Sequence, residues 1–437
     1  MRIAYLFTCF PVATETFLQR EIRAMRERGD VEIEIWSLWH GKPEWEGLRV
    51  RRYPFAAIFR VIFLKLPLWA WRRPGALRRV WAAYMAESTP SLLNIGENLL
   101  GLAFALDTAG HFRANPPELF HAVWGTMPAA AAWMLNELTG IPFSTGAHAY
   151  DLFRHGGDWT LRHKLARAHL VHTTTEAARR RLLDLGVPPA RVHLIRRGLD
   201  TLPQFREDLD APLRRASADG TPLRLLSVGR LVPKKGFQHQ IAIYEALRTA
   251  GIAFTARIAG EGPLLDALRQ RAETLGLANT IVFTGKQEYA QIAAEYATAD
   301  IFLFTGVVAE DGDRDGLPNV IPEAMAHGIP VITSAVSGTT EAVVDGATGQ
   351  VVTAGDTAGW IAAIRRLHMD AAFRERTRRA ARNWVEREFC AHANAARLST
   401  ALRQIGTRTS AADESFGLGA QTPSVQEFVH NAIGEAD

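Results

Sequence analysis

Apolar and polar positions along the chain switch repeatedly between a two-residue rhythm and a three-to-four-residue one. "RIAYLF", residues 2 to 7, is a short apolar run that predicts a first strand. "TETFLQREIRAMRERG" then sets Phe17, Ile22 and Met25 on one helical face, with Thr14 or Thr16 as N-cap and Gly29 as the stop. "VEIEIWSL" alternates apolar and charged residues, as a half-buried strand does. This strand–helix–strand rhythm predicts a parallel sheet with crossover helices.

The rhythm breaks between about residues 55 and 112. "FAAIFRVIFLKLPLWAWRRPGALRRVWAAYM" is apolar, aromatic and basic, and Arg60, Lys65 and Pro67 argue against a spanning helix. Two outcomes stay open: helices packed on the sheet, or an amphipathic surface dipping into a membrane interface with Trp and Arg as anchors. Alternation resumes with "ELFHAVW", "PAAAAWMLNELTG", "IPFSTGAHAYD" and "HLVHTTTEAARRRLLDLG". A polar stretch with prolines near 203 to 222 reads as a linker, and a second strand–helix series follows from "PLRLLSVGRL" to "GIPVITS". The expected organisation is an N-terminal Rossmann-like domain over 1–205 carrying the 55–112 insert, and a second such domain over 206–385. A helix at 386–405 is expected to cross back to the first domain, ahead of a flexible tail at 406–437. Two doubly wound domains would thus face each other, with ligand sites at the carboxyl ends of their strands.

Composition agrees with two folded domains. The chain has 437 residues, 47% hydrophobic and 22% charged, and only two cysteines, so no disulfide framework is indicated. The N-terminal apolar run is too short for a signal segment, and a cytoplasmic location is expected. Charge is uneven. Residues 1–205 hold 26 Lys and Arg against 18 Asp and Glu, and nine basic residues but no acidic one lie between Arg49 and Ala86. That excess suggests an anionic membrane surface as partner, with a peripheral position on the inner face; no nucleic-acid motif is present.

Chemistry concentrates in "DGDRDGLPNVIPEAMAHG", residues 311 to 328. Asp311, Asp313, Asp315 and Gly316 resemble the opening of a calcium loop, yet its twelfth position is Pro322 where a bidentate Glu is needed. No metal is therefore assigned. A helix starting near Gly316, Leu317, Pro318 and Asn319 would instead offer free amides to phosphate. Glu323, about a turn and a half along, suits a ribose diol. "SVGRLVPKKGF" places Gly229, Arg230 and Lys235 after a strand, where two cations could neutralise a diphosphate or simply be solvated surface charge. "AGEGPL" sets Gly260 and Gly262 around Glu261, for close backbone approach or a plain turn. "STGAHAYDLF" puts His148 and Asp151 after an apolar strand, as sugar or phosphate partners or as structural polar groups. His121 in "FHAVWG" reads as a packing or loop residue.

These stretches occur in order and together resemble the retaining glycosyltransferases of family 4, which have the GT-B fold of two Rossmann-like domains around a cleft. "SVGRLVPKKGF", "AGEGPL", "DGLPNVIPEAMAHGIPVITS" and "SGTTEAVVDGATGQVV" carry the likeness, over about residues 1 to 400. "CFPVATETFLQREI" and "GAHAYDLF" are similar to the colanic-acid and exopolysaccharide branch. The resemblance implies hexose transfer from a nucleotide diphosphate sugar to a saccharide acceptor in exopolysaccharide or cell-surface glycan synthesis, with retained configuration and neither cofactor nor metal; the basic 49–86 segment suggests that this acceptor is lipid-linked at the inner membrane face. It implies catalytic roles for His148, Arg230, Lys235 and Asp315. Gly229, Gly260, Glu261, the 316–319 stretch and Glu323 would hold the donor; Thr14, Glu15, Thr16 and Asp151 would face the acceptor. The family's Glu-x7-Glu pair is Asp315 and Glu323 here, and Arg197 stands where many relatives carry Asn. A nucleotide-sugar epimerase or a non-catalytic scaffold of a polysaccharide assembly complex is the alternative.

Overall fold

The computed structural model describes residues 1–12, 15–54, 56–89, 91–207 and 221–415, with side chains described to residue 405. The linker stretch 208–220, Thr14 and the tail beyond 415 lie outside the described residues.

The first half builds an eight-stranded sheet from β1 (Arg2–Cys9), β2 (Glu32–His40), β3 (Glu44–Trp45), β4 (Leu48–Arg52), β5 (Leu119–Ala122), β6 (Phe143–Gly146), β7 (Leu170–Thr173) and β8 (Val192–Leu194). Their order is β3-β4-β2-β1-β5-β6-β7-β8. Only β3–β4 runs antiparallel, and β1 pairs Arg2 with Glu32 on one side and Ile3 with Leu119 on the other. The inner strands β5, β6 and β7 are buried at every position, because helices cover both faces of a parallel sheet.

The second half builds a six-stranded parallel sheet from β9 (Leu223–Val228), β10 (Phe254–Ala259), β11 (Ile281–Gly285), β12 (Ile301–Phe304), β13 (Val331–Thr333) and β14 (Gln350–Val351). The order is β11-β10-β9-β12-β13-β14. Both halves are therefore doubly wound, as the alternating pattern predicts. Strand order reverses between β1 and β5 in the first sheet and between β9 and β12 in the second. Such switch points leave a crevice beyond the strand ends, so the loops after β1, β5, β9 and β12 are where a ligand site belongs.

The helix Thr16–Arg28 follows β1 and buries Leu18, Ile22 and Met25, ending where Gly29 turns left-handed at φ 71°. Its N-cap is Glu15 rather than Thr14 or Thr16, and no side chain caps it. The helix Ala391–Ser415 lies against it, adding Ala395, Leu398 and Leu402 to the same core. This closing helix starts later and ends later than the expected 386–405, because the chain breaks at Phe389–Cys390 to pair with Leu199.

The insert resolves the two outcomes left open by its sequence: it packs, and it also stays apolar outside. Ala57–Arg60, Val61–Lys65 and Leu66–Arg72 form one helix whose middle turn widens to a π form just before Pro67, which lacks an amide for the regular ladder. Helices Pro74–Ala86 and Leu92–Ala114 complete it. Val61, Trp69, Val80, Ala83 and Tyr84 face inward, with Trp69 Nε1 donating to the Leu106 carbonyl at 2.8 Å. Phe59, Phe63, Leu64, Trp71, Trp81 and Leu92 face outward, Trp71 78% and Leu92 85% exposed. None of the described helices is long and apolar enough to cross a membrane.

Candidate active site

The loops after β9 and β12 pack on each other. Gly236, at φ 67°, sits so close to the Thr305 carbonyl that a Cβ would meet it at 1.9 Å. Val307 N donates to the Lys234 carbonyl at 2.9 Å. This brings the Pro233–Lys235 turn against Asp313 and Asp315. Lys235 Nζ lies 2.8 Å from Asp315 Oδ2, and Lys234 Nζ lies 3.0 Å from Asp313 Oδ1 and 3.8 Å from Asp315 Oδ1. Burial pushes the Asp315 carboxyl up, but Lys235 and Lys234 outweigh it and hold it below the usual carboxylate range. Arg230 is exposed at the edge of the cluster and adds to the pull on Asp315. The buried Lys234 is a member that the motif reading passed over.

Gly260 does allow a close approach, but of backbone: a Cβ there would meet the Gly229 carbonyl at 1.9 Å. Gly229 N donates to the Ala259 carbonyl, and Leu231 N to the Glu261 carbonyl, both at 2.9 Å. The Glu261 side chain is left exposed.

The helix after β12 spans Val320–Ala326, with Asn319 as N-cap, so Gly316, Leu317 and Pro318 form the loop before it. Pro322, not Pro318, occupies its first turn, where a missing amide is tolerated. Glu323 is buried. Its Oε1 accepts from Arg20 Nη1 at 3.1 Å, across the two halves, and its Oε2 accepts from the Tyr296 hydroxyl at 3.3 Å. Burial raises its carboxyl above the ordinary value, against the pull of Arg20. A carboxylate has about four lone-pair positions, so each oxygen retains capacity for a hydroxyl. Arg20 stands 303 residues away in sequence, and nothing in a pattern of apolar spacing marks it.

The facing side is built on β6. His148 is buried, its ring edge-on to Trp124 at 5.4 Å and to His172 at 5.1 Å. Its Nε2 meets Arg197 Nη2 at 2.9 Å. A guanidinium only donates, so Nε2 accepts and the ring proton sits on Nδ1, which has no partner among the described residues. Burial and then Arg197 hold the imidazole far below its usual value, hence neutral. Arg197 also pairs with Glu21 and covers the Phe17 ring at 4.9 Å.

Asp151 differs from its expected place facing an acceptor. It is fully buried and accepts from the amides of Gly125 (3.0 Å), His148 (3.0 Å) and Ala149 (2.8 Å). It fixes the loop that carries His148. Glu15 sits near Trp124, Arg197 and Arg230; burial lifts its carboxyl to about 7 despite those partners. Thr16 is half-buried at the start of its helix, and Thr14 is outside the described residues. His121 packs on Tyr5 and meets Ser144 Oγ at 2.8 Å, a structural residue as read.

The two sides touch. A Cβ on Gly316 would lie 3.4 Å from the His148 carbonyl. Asp311 Oδ2 accepts from Arg154 Nε at 2.9 Å, and the Asp311 carbonyl accepts from His155 N at 2.7 Å. Asp311 and Asp313, given no role once the calcium loop is set aside, are an interdomain strut and a lysine partner. Cations, carboxylates and a neutral imidazole thus come together where the loops of the two switch points meet.

A family model described as "Glycosyl transferases group 1" matches residues 212–384, and one described as "Glycosyltransferase Family 4" matches residues 86–201. The chain is 30% identical over 82% of its length to a putative colanic acid biosynthesis glycosyltransferase, WcaL, of Escherichia coli, 88% of which is covered. It is 29% identical over 93% of its length to the corresponding protein of Salmonella typhimurium, covering all of that sequence. Among solved structures, Anabaena HepE in complex with UDP superposes with a TM-score of 0.66 at 18% identity, over 92% of this chain and all of that one.

Proposed function

This chain belongs to the family 4 glycosyltransferases and has their GT-B fold, and on that premise we propose that it transfers a hexose from a nucleotide diphosphate sugar to a saccharide acceptor in exopolysaccharide synthesis. The observation that carries the reading is the cationic turn, Lys234 and Lys235 with Arg230, set against Asp315 and facing the His148 loop. The names of the WcaL relatives support the exopolysaccharide role.

In this reading Arg230 and Lys235 take the diphosphate, helped by amides of the 316–319 loop, and Glu323 takes the ribose. Asp315, one methylene shorter than the family's Glu, contacts donor-sugar hydroxyls once Lys235 turns to phosphate. The acceptor oxygen attacks the anomeric carbon on the face from which the diphosphate departs. The sugar–phosphate bond breaks, the acceptor's proton passes to a phosphate oxygen, and configuration is retained. Cations placed where the leaving charge grows stabilise that step, and His148 with its free Nδ1 proton orients the sugar. Closure of the two halves excludes water. The test is acceptor-dependent product formation with the anomeric configuration read by NMR. An inverted product, or release of free epimer alone, overturns the reading.

The outer face of the insert supports a membrane-held acceptor. Among the described residues Lys65, Arg72, Arg73 and Arg78 form no ion pair, whereas Arg60 pairs with Asp107 and Arg79 with Glu137. Those four free cations stand among outward Phe, Leu and Trp side chains. An anionic leaflet attracts each with about 1 kcal/mol. Sedimentation with phosphatidylglycerol vesicles should fall sharply when the four are neutralised. Unchanged sedimentation removes the membrane partner.

A further inference from the structure

Between the start of the helix Leu92–Ala114 and the His148 loop lies a cavity of about 90 Å³, outside the residues that face the donor. Asn94, Glu97, Thr126, Tyr150, Arg154 and Asp158 line it. At roughly 10–15 Å³ per water it holds on the order of six to nine waters, roughly the room of one sugar ring.

Its walls are polar and, in part, unsatisfied. The Tyr150 hydroxyl stands 3.5 Å from Thr126 Oγ1. Asp158 is tied down by Lys164, Asn94 and Asn98. Glu97, by contrast, has no hydrogen bond or ion pair among the described residues. Burial and then the Asp158 charge lift its carboxyl to about 7. A half-buried carboxyl without a partner stores a hydrogen-bonding capacity that a hydroxylated ligand would meet.

Three neighbours fix what the cavity is for. Tyr150 packs on Trp124 at 5.3 Å, and Trp124 packs on His148, so one wall leads to the reacting side of the cleft. Arg154 is also the residue bonded to Asp311 of the donor half. At the other end, Leu93 forms the rim and is continuous along its helix with the exposed Leu92 and Leu99.

We infer that this cavity is the acceptor subsite: it takes one sugar ring, hydrogen-bonded by Glu97, Tyr150 and Asn94, while an attached alkyl chain leaves over Leu93 onto the apolar face. The inference rests on the glycosyl-transfer reading and deepens it, and no motif in the sequence points to Glu97 or Asn94.

Saturation-transfer NMR with octyl glucoside, octyl galactoside and octyl mannoside, without nucleotide, tests it. Saturation should reach the ring protons of at least one glycoside. Glu97→Gln and Tyr150→Phe should each weaken that binding by at least about fivefold, the scale of one lost hydrogen bond. Melting temperature and the thermal shift with UDP, GDP or ADP report folding and the donor site in the same variants. Ring saturation unchanged in both folded variants, or saturation confined to the alkyl chain, overturns the subsite. Should Glu97→Gln fail to fold, Asn94→Ala replaces it under the same criterion. A wild type that binds a glycoside but responds to no nucleotide supports the sugar subsite and contradicts the transfer reading instead.

Discussion

The two rims of the cleft treat charge in opposite ways. On the donor rim, Asp315 is buried yet held below its ordinary value by Lys235 and Lys234, so an ion cluster persists. On the facing rim, burial wins. His148 is held far below its usual value, His121 falls to about 3, and Glu15 and Glu97 rise to about 7. Both rims are buried; what separates Asp315 is its pair of lysines, Lys235 at 2.8 Å and Lys234 at 3.8 Å, since Glu323, with Arg20 alone at 3.1 Å, rises like the carboxyls opposite. Fixed positive charge suits a departing diphosphate. Neutral donors and protonated carboxyls suit hydroxyl-rich sugar.

The largest effect that would break this contrast is loss of a donor-rim cation. Lys235→Ala should lower turnover by about 10²–10³-fold, the range for removing one preorganised charge donor, with folding intact by circular dichroism. Full activity would remove Lys235 from the site. Next comes Lys164→Met on the facing side. Lys164 and Asp158 form a fully buried pair, and stranding the carboxylate should cost about 3–5 kcal/mol in urea unfolding. Arg20→Ala strands Glu323 across the two halves in the same way, and an effect of the same order is expected.

A smaller effect sharpens the facing rim through pH. A carboxyl raised to about 7 when folded, from an ordinary 4.5, binds more protons folded than unfolded across that window. Its contribution to stability is therefore full below about 4.5 and is lost as pH rises to about 7. Glu15→Gln and Glu97→Gln should each flatten the fall in melting temperature over that window, relative to wild type, by a few degrees for about 1 kcal/mol. Parallel curves for wild type and variant would mean that the carboxyl is not raised. The smallest effect is expected from Asp311→Asn. The Arg154 partner is 40% exposed, so the pair should contribute no more than about 1 kcal/mol, with a modest change in affinity for donor.

Much of this was legible in the sequence, and what was not has definite causes. The second half read cleanly because its strands are short apolar runs bounded by Gly and charged turns, and Lys235, Asp315 and Glu323 stand in contiguous motifs. Helix starts shifted by a few residues where two prolines, Pro318 and Pro322, each fit a first turn. The insert was ambiguous because its helices are apolar on both sides, and periodicity cannot say which apolar side is covered. Asp311 has no role legible in its own stretch because its partner, Arg154, belongs to the other half. Asp151 looked available because nothing local shows that three amides take its oxygens. Arg20 and Glu21 are hidden in an amphipathic helix, and Arg197 stands out only as a departure from the family's Asn; only folding brings Arg20 to Glu323 and Arg197, with Glu21, to His148.

The central claim is that the cationic turn and Glu323 hold a nucleotide diphosphate. Isothermal titration of UDP, GDP and ADP into wild type, Lys235→Ala and Glu323→Ala tests it most directly. The account expects one nucleotide to bind wild type and both variants to lose at least tenfold in affinity. No binding by wild type, or equal binding by all three proteins, would contradict it.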